Sequence, residues 1–266
     1  MTVRRIVGDC TLTGLSKPRY KLVKGAMMSF LKPESLRSYV SHLDEIVHAH
    51  IVSEIKEKES INAVDFMKKL TFDVTFTILF GIDGKSPKEA MFHDFDQIFK
   101  AVWFVPLNFP VSCHYAKSII SFILEQMEIF LRKRRNGEEK LTWTDLQSMK
   151  YTWRVAQELM KIIPLVFENF REAAKDLYNG GYFIPKGWKV FWVSHGTQMN
   201  ENIFENPKVF DPSRFKNPSK PIFPYVYVPF GGGPHMCSGN DFARVEILTI
   251  IHRMVTKFEW SQGDSR

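Results

Sequence analysis

Cys237 lies in a glycine-rich stretch, Pro229–Asn240, that reads P-F-G-G-G-P-H-M-C-S-G-N. Three consecutive glycines, at positions 231 to 233, allow the backbone to come very close to a flat or bulky group. The periodicity that follows predicts a helix from Asn240, and the positive end of a helix dipole favours a thiolate. A thiolate in such a loop is either a metal ligand or a nucleophile.

The nucleophile interpretation requires a general base within reach of the sulfur. His235 is the only local candidate, and an extended loop directs its side chain to the opposite face from Cys237. The metal-ligand interpretation requires only that the loop present the sulfur to the metal. Both interpretations remain open on the residues of the loop alone.

The stretch resembles the haem-binding loop of the cytochrome P450 family, whose pattern is F-x-x-G-x-R-x-C-x-G. Three upstream segments resemble family segments in the right order: Glu158–Lys161, Gly180–Trp188 and Phe210–Phe215. The general likeness is to plant enzymes that oxidise terpenoids, triterpenes and related hormones. The resemblance implies haem b (iron-protoporphyrin IX), with Cys237 as the axial ligand of the iron. It also implies that the loop around the haem is formed by Phe230, Gly231, Gly233, His235, Cys237 and Gly239.

The family holds this loop with an E-x-x-R pair and the arginine of a P-x-R-F segment. Glu158 and Arg214 match that pattern, whereas Lys161 replaces the first arginine. Glu158 and Lys161 are three residues apart on a helix and can pair. Lysine lacks the planar fork of arginine, so we expect a looser structural lock.

The propionates of a family haem contact basic residues. His235 replaces the arginine of the loop, and Tyr20 and Lys24 have the spacing of an aromatic residue followed by a base on an early helix. Gln198 stands where the family commonly has a histidine. An ordinary exposed helix face explains Tyr20 and Lys24 equally well.

Several family segments have no counterpart. No A/G-G-x-D/E-T-T/S motif occurs, and the distal helix that carries this acid and alcohol is expected where only Asn136–Lys140 remain, between Arg135 and Leu141. The N-terminal anchor, the first strands and the C-terminal loop also have no match. We therefore predict one partial domain over residues 1–266, with a helical part at 1–135 and a proximal haem-binding part at 141–266.

The predicted fold is mainly α with a small β portion. Apolar residues recur every three or four positions and predict helices at Glu34–Lys58, Val64–Phe80, Pro87–Val105, Tyr115–Arg135 and Asn240–Phe258. A capping box at Thr144 and Gln147 predicts a further helix to about Ile163. Alternation predicts a strand within Trp188–Val193, and the segment at 200–229 is expected to be irregular.

The composition sets limits on other functions. The chain has 266 residues, of which 44% are hydrophobic, and a formal charge of +7. Without a basic motif, this charge does not predict a nucleic-acid binder. The three cysteines are too few and too widely spaced for a disulfide framework. No run of eighteen apolar residues occurs, so no spanning helix is predicted within the chain.

By resemblance, the chain is a haem-thiolate monooxygenase that inserts one oxygen atom into a C–H bond of a lipophilic, terpenoid- or sterol-like substrate. The alternative is a truncated remnant that binds haem without turnover. A flavin-containing reductase is the expected electron donor, and a peripheral membrane contact is a further expected interaction. Full-length relatives are at the endoplasmic reticulum membrane, so the chain is expected there or in the cytosol.

Overall fold

The computed structural model describes residues 15, 17–56, 58–82, 88–89, 91–96, 116–164, 168–216 and 225–259. The chain divides into two compact units. The first consists of Met1–Val111, Ile123–Met149 and Ser238–Arg266, and the second of Ser112–Phe122 and Lys150–Cys237. The predicted helix at 87–105, as well as Cys10 and Cys113, lie largely or wholly outside the described residues.

The first unit is helical. Its elements are α1 (Lys17–Leu31), α2 (Pro33–Ile55), α3 (Ala63–Phe80), the second half of α4 (Ala116–Arg135), α5 (Trp143–Ser148) and α8 (Asn240–Lys257). Helix α2 packs against α1, α3 and α8. The predicted apolar face of α2 forms the core, because Leu36, Val40, Leu43, Val47 and Ile51 are each at most 1% exposed.

The ends of these helices follow local chemistry. The Asn62 side chain accepts hydrogen bonds from the backbone amides of Val64 and Asp65 and begins α3. Gly81 ends it in the left-handed region, at φ 63°. None of the helices in the part of the chain that the structure describes is long and apolar enough to cross a bilayer.

A buried ion pair connects three parts of the first unit. The buried Asp44 carboxylate pairs with the Arg253 guanidinium and accepts a hydrogen bond from the Leu141 amide at 2.8 Å. Arg253 also donates to the Glu139 carbonyl at 3.0 Å. The residues around 139–141 are therefore fixed against α2 and α8 by one ion pair.

Two sequence-based predictions for this region were wrong. The capping box is formed by Thr142 and Asp145, two residues before the predicted one, and the helix it begins ends at Ser148. A new helix, α6 (Lys150–Ile162), starts two residues later. Met149, which separates the two helices, has non-helical backbone angles (φ −74°, ψ 54°). On α8, the apolar spacing predicts that one set of residues faces inward, but of this set only Ile250 is fully buried: Ala243, Ile247, Ile250, Ile251 and Met254.

In the part of the second unit that the structure describes, the elements are the first half of α4, then α6, four short strands and α7 (Ser194–Gln198). Strand β1 (Glu168–Glu172) pairs antiparallel with β4 (Lys189–Val193), and β2 (Leu177–Asn179) pairs antiparallel with β3 (Tyr182–Ile184). Two 3-10 helices, Pro212–Phe215 and Gly233–His235, interrupt the irregular segment that follows. The mainly helical prediction with a small β portion is thus confirmed.

The buried carboxyl group of Glu246 on α8 makes the stability of the first unit depend on pH. Its side chain is buried, its Oε1 atom has no hydrogen-bond partner, and burial raises its pKa to about 8. Because the pKa of Glu246 in the folded chain exceeds the usual glutamate value of 4.5, the stability that its protonated form contributes is complete below pH 4.5 and is lost as pH rises through 8. We expect Glu246→Gln to raise the free energy of unfolding by about 3 kcal/mol at pH 8 and to have little effect at pH 4.

Urea denaturation at the two pH values measures this difference. Glu128→Gln, on the exposed side of α4, is the matched control and should change stability little at either pH. Equal effects of Glu246→Gln at both pH values would contradict the assignment.

Candidate haem-binding site

The loop that carries Cys237 is closed by its own backbone. The Cys237 amide donates to the Phe230 carbonyl at 2.8 Å, and the Met236 amide donates to the Gly233 carbonyl at 3.0 Å. Both bonds enclose the 3-10 turn Gly233–His235. Cys237 is a free, exposed cysteine at the end of this closed loop.

The glycines of the loop have distinct roles. Gly231 and Gly233 have φ values of 75° and 67°, which side-chain-bearing residues rarely adopt. A Cβ atom at Gly232 would lie 2.8 Å from the Tyr225 ring. The first and third glycines therefore allow the turns, and the second allows the loop to pack against Tyr225.

Glu158 on α6 is fully buried and is the centre of a polar cluster in the second unit. Its Oε1 atom lies 3.1 Å from Lys161 Nζ and accepts from the Asp211 amide at 3.2 Å. Its Oε2 atom accepts from Arg214 Nε at 3.3 Å. The three residues predicted to form a lock are therefore in contact.

Lys161 is as deeply buried as its partner. Its ammonium donates to the Pro207 carbonyl at 2.5 Å and lies 5.7 Å from the centre of the Phe204 ring. Burial lowers the pKa of Lys161, and the adjacent Glu158 carboxylate opposes that change. Burial likewise raises the pKa of Glu158, opposed by Lys161, the Asp211 amide and Arg214.

The Arg214 guanidinium holds a turn of the chain as well as Glu158. It donates to the carbonyls of Glu205 at 2.7 Å and of Asn206 and Val209 at 3.4 Å. Asp211 caps the 3-10 helix that carries Arg214, because its side chain accepts from the Ser213 amide. The lock thus joins α6, this 3-10 helix and the turn at 205–209.

A tyrosine that the sequence-based site prediction missed connects this lock to the loop. The Tyr227 hydroxyl donates to the Gln157 carbonyl on α6 at 2.9 Å, and its ring lies 4.9 Å from that of Phe215. Burial raises the pKa of Tyr227. Tyr227 precedes Phe230 by three residues, so α6 holds the chain where it enters the loop. The only signal in the sequence was an aromatic residue close to the motif.

The residues predicted to contact the propionates lie in different parts of the structure. Tyr20 and Lys24 are on α1 in the first unit, where the ammonium lies 5.7 Å from the ring centre. Gly239 caps α8 in the same unit. In the second unit His235 is exposed, whereas Gln198 is 1% exposed and neither polar atom of its amide has a partner. The contacts of these residues with haem stay predictions.

The donor set fits a haem ligand. The cysteine is free and exposed, and the loop that carries it is closed by hydrogen bonds between its own residues. A thiolate ligand donates electron density to haem iron and favours O–O cleavage. Two other side chains of the loop could ligate iron, the imidazole of His235 and the thioether of Met236, and both are exposed, so the ligand can be identified by substitution.

Known proteins resemble this chain over most of its length. A beta-amyrin 28-monooxygenase of Barbarea vulgaris is 29% identical over 320 aligned positions, which cover 91% of this chain and 67% of that protein. A taxane 13-alpha-hydroxylase of Taxus cuspidata is 26% identical over 340 positions, covering 97% and 70%. Since 91% of 266 residues is about 242, roughly 80 positions of the first alignment have no residue in this chain.

A solved structure shares the fold. The retinoic acid bound cyanobacterial CYP120A1 superposes with a TM-score of 0.68 at 23% identity, covering 96% of this chain and 75% of that one. The sequence model of the family "Cytochrome P450" matches residues 124–266. This match begins inside α4 and runs through Asn136–Lys140, where the missing helix was expected. With more than half of its residues matched by that model, the chain belongs to the cytochrome P450 family.

Proposed function

We propose that Cys237 is the axial thiolate ligand of a haem b and that the chain functions as a haem-thiolate monooxygenase. The observation that carries this proposal is the free, exposed Cys237 at the end of a loop closed onto the Phe230 carbonyl. Haem, when bound, supplies the oxygen chemistry. The chain supplies the ligand from Cys237, an apolar contact from Phe230, and donors for the propionates from His235 and Lys24.

The Glu158 cluster acts by positioning the loop. Glu158 and Arg214 hold the chain at 205–214, and Tyr227 holds it at the entry to the loop. Helix α6 is common to both contacts, so its position is transmitted to Phe230 and Cys237. Preorganisation of this kind keeps a ligand atom in place before the metal binds.

The proposed substrate is a lipophilic molecule of terpenoid or sterol type. The names of the two relatives described above refer to beta-amyrin and taxane compounds. The proposed electron donor is a flavin-containing reductase, because the formal charge of +7 suits a partner with an acidic docking face.

A second candidate function is haem binding without turnover. The chain contains no A/G-G-x-D/E-T-T/S motif, and roughly 80 aligned positions of the Barbarea relative have no residue here. In the family, the acid and the alcohol of that motif deliver protons to the distal side of the haem. General acid–base groups of this kind typically contribute a factor of about 10² to 10⁴ in rate.

The ligand assignment is tested by the absorption spectrum of the reduced, carbon monoxide-treated protein. We expect a strongly red-shifted Soret band, because a thiolate ligand donates electron density to the iron. Cys237→Ala should abolish this band, and His235→Ala, the matched control, should retain it. A band that survives Cys237→Ala, or a wild-type chain that takes up no haem, would rule out the proposed ligand.

The lock is tested by removing its buried ammonium. We expect Lys161→Met to lower the free energy of unfolding by about 3 kcal/mol, since it leaves Glu158 with one fewer charge partner in the interior. Lys161→Arg should keep the contact with Glu158 and most of the stability. Urea denaturation measures both effects, and Lys150→Met, an exposed lysine of the same helix, is the control. An unchanged unfolding midpoint in Lys161→Met would contradict the lock.

Turnover distinguishes the two candidates. The second candidate, haem binding without turnover, predicts that the haem-loaded chain, supplied with a flavin reductase, NADPH and beta-amyrin, shows the Cys237-dependent band but no hydroxylated product above the Cys237→Ala background. Mass spectrometry of the extract measures the product. Hydroxylation that requires Cys237 would instead establish the monooxygenase activity of this chain.

A further inference from the structure

The β2–β3 hairpin of the second unit exposes large aromatic side chains. Tyr178 is 80% exposed, Tyr182 76%, Phe183 49%, and Trp188, which follows the hairpin, 61%. The Trp188 carbonyl accepts from the Ala173 amide at 2.9 Å, and the Lys186 amide donates to Asp176 at 2.7 Å. The hairpin and Trp188 therefore belong to one hydrogen-bonded segment. We call these four aromatic residues the hairpin surface.

The register determines which groups the hairpin presents. Tyr178 is paired with Phe183, so both side chains lie on one face, and their rings are 4.9 Å apart. Gly180 and Gly181 form a two-residue turn with positive φ. In such a hairpin the residues flanking the turn form the hydrogen-bonded pair, so the backbone amide and carbonyl of Phe183 point away from β2. Within the described residues, β3 has no neighbour on that outer edge.

An open edge next to exposed aromatic side chains is a site for pairing with another strand. The four side chains expose the equivalent of two to three whole aromatic residues, or roughly 500 Å². Pairing of the two β3 edges buries only part of this surface, because Tyr182 lies on the opposite face from Phe183 and Tyr178 lies on the far strand, so the interface is smaller than about 1,000 Å² and lies in the range of weak contacts. The area therefore fits a weak dimer.

The nearly neutral charge of residues 168–193 favours a second copy of this chain, rather than a membrane, as the partner. Between Glu168 and Val193 there are four basic and three acidic side chains, a formal charge of +1. Lys189 pairs with Glu172 across β1 and β4. A nearly neutral surface gains little from anionic lipid or nucleic acid and does not repel a second copy of itself.

We propose that the hairpin surface binds the same surface of a second copy of this chain. The two β3 strands pair antiparallel about Phe183, which gives a two-fold symmetric, four-stranded sheet. One face of that sheet carries a continuous row of four rings: Tyr178 and Phe183 of one copy, followed by Phe183 and Tyr178 of the other. This association does not involve Cys237 and is independent of haem binding.

The first test is sedimentation velocity of the full chain between roughly 5 and 200 µM. This range detects a dimer whose Kd is roughly micromolar to submillimolar. We expect the mass to rise from 31.0 kDa towards twice that value. Tyr178→Ser combined with Phe183→Ser should raise the dissociation constant at least tenfold. Leu22→Ser combined with Val64→Ser removes side chains that are 74% and 63% exposed in the first unit and should have no effect. A monomer at every concentration, or equal losses in both double variants, would overturn the proposal.

Disulfide trapping tests the register directly, in a background in which the three native cysteines are replaced by serine. The two Cα atoms of Phe183→Cys should lie about 5.5 Å apart in the dimer, within disulfide range. The matched control, Tyr178→Cys, places the two cysteines three strand spacings apart, about 14 Å. We expect mild oxidation to give a covalent dimer only for Phe183→Cys; equal cross-linking of both variants would overturn this register.

A lipid surface is the competing partner for the same residues. Flotation with phosphatidylcholine–phosphatidylserine vesicles measures it on the same proteins. The contrary outcome is a chain that stays monomeric and floats with the vesicles, with flotation lost in the Tyr178→Ser, Phe183→Ser variant. That result would overturn the proposal and show that the partner of the hairpin surface is a membrane. Dimer formation without flotation supports the proposal.

Discussion

The buried carboxylate of Glu158 is the constraint on which the second unit depends. A carboxylate removed from water is stable only if donors replace its hydration shell. Glu158 receives the Lys161 ammonium from its own helix and the Asp211 amide and the Arg214 guanidinium from 53 and 56 residues further along the chain. Because these donors lie far apart in sequence, α6 and the 3-10 helix must come together for any of them to be satisfied.

Lys161 replaces the arginine of the family pattern. Lys161 and Arg214 share the contacts of the cluster around Glu158. Arg214 uses its planar fork on Glu158 and on three carbonyls of the turn at 205–209. The Lys161 ammonium lies beside Glu158 as a point charge and also donates a hydrogen bond to the Pro207 carbonyl. A lysine cannot impose a bidentate geometry, and Arg214 reaches Glu158 through Nε, because its terminal nitrogens donate to the carbonyls of the turn. The expected looseness of the lock stays a prediction.

Apolar periodicity predicted the helices whose cores are apolar and failed where polar contacts determine the packing. The stripe from Leu36 to Ile51 is buried as the spacing predicted. On α8, the buried face also includes Arg253, paired with Asp44, and His252, bonded to Gln126 at 2.8 Å. Neither pairing is visible in a pattern of apolar residues. Strand β1 was not predicted, because Asn169, Arg171 and Glu172 have low strand propensity and are held by pairing with β4.

The parts of the site that hold the ligand and the parts that perform chemistry are separable in this chain. The loop is held by backbone bonds between its own residues, by Tyr227 on α6 and by the Glu158 cluster, all within the second unit. None of these contacts uses the acid and alcohol that the family places on the distal side. The geometry of the loop therefore does not depend on those two residues. For this reason a spectrum that reports the sulfur–iron bond and an assay that reports oxygen insertion measure different properties of the protein.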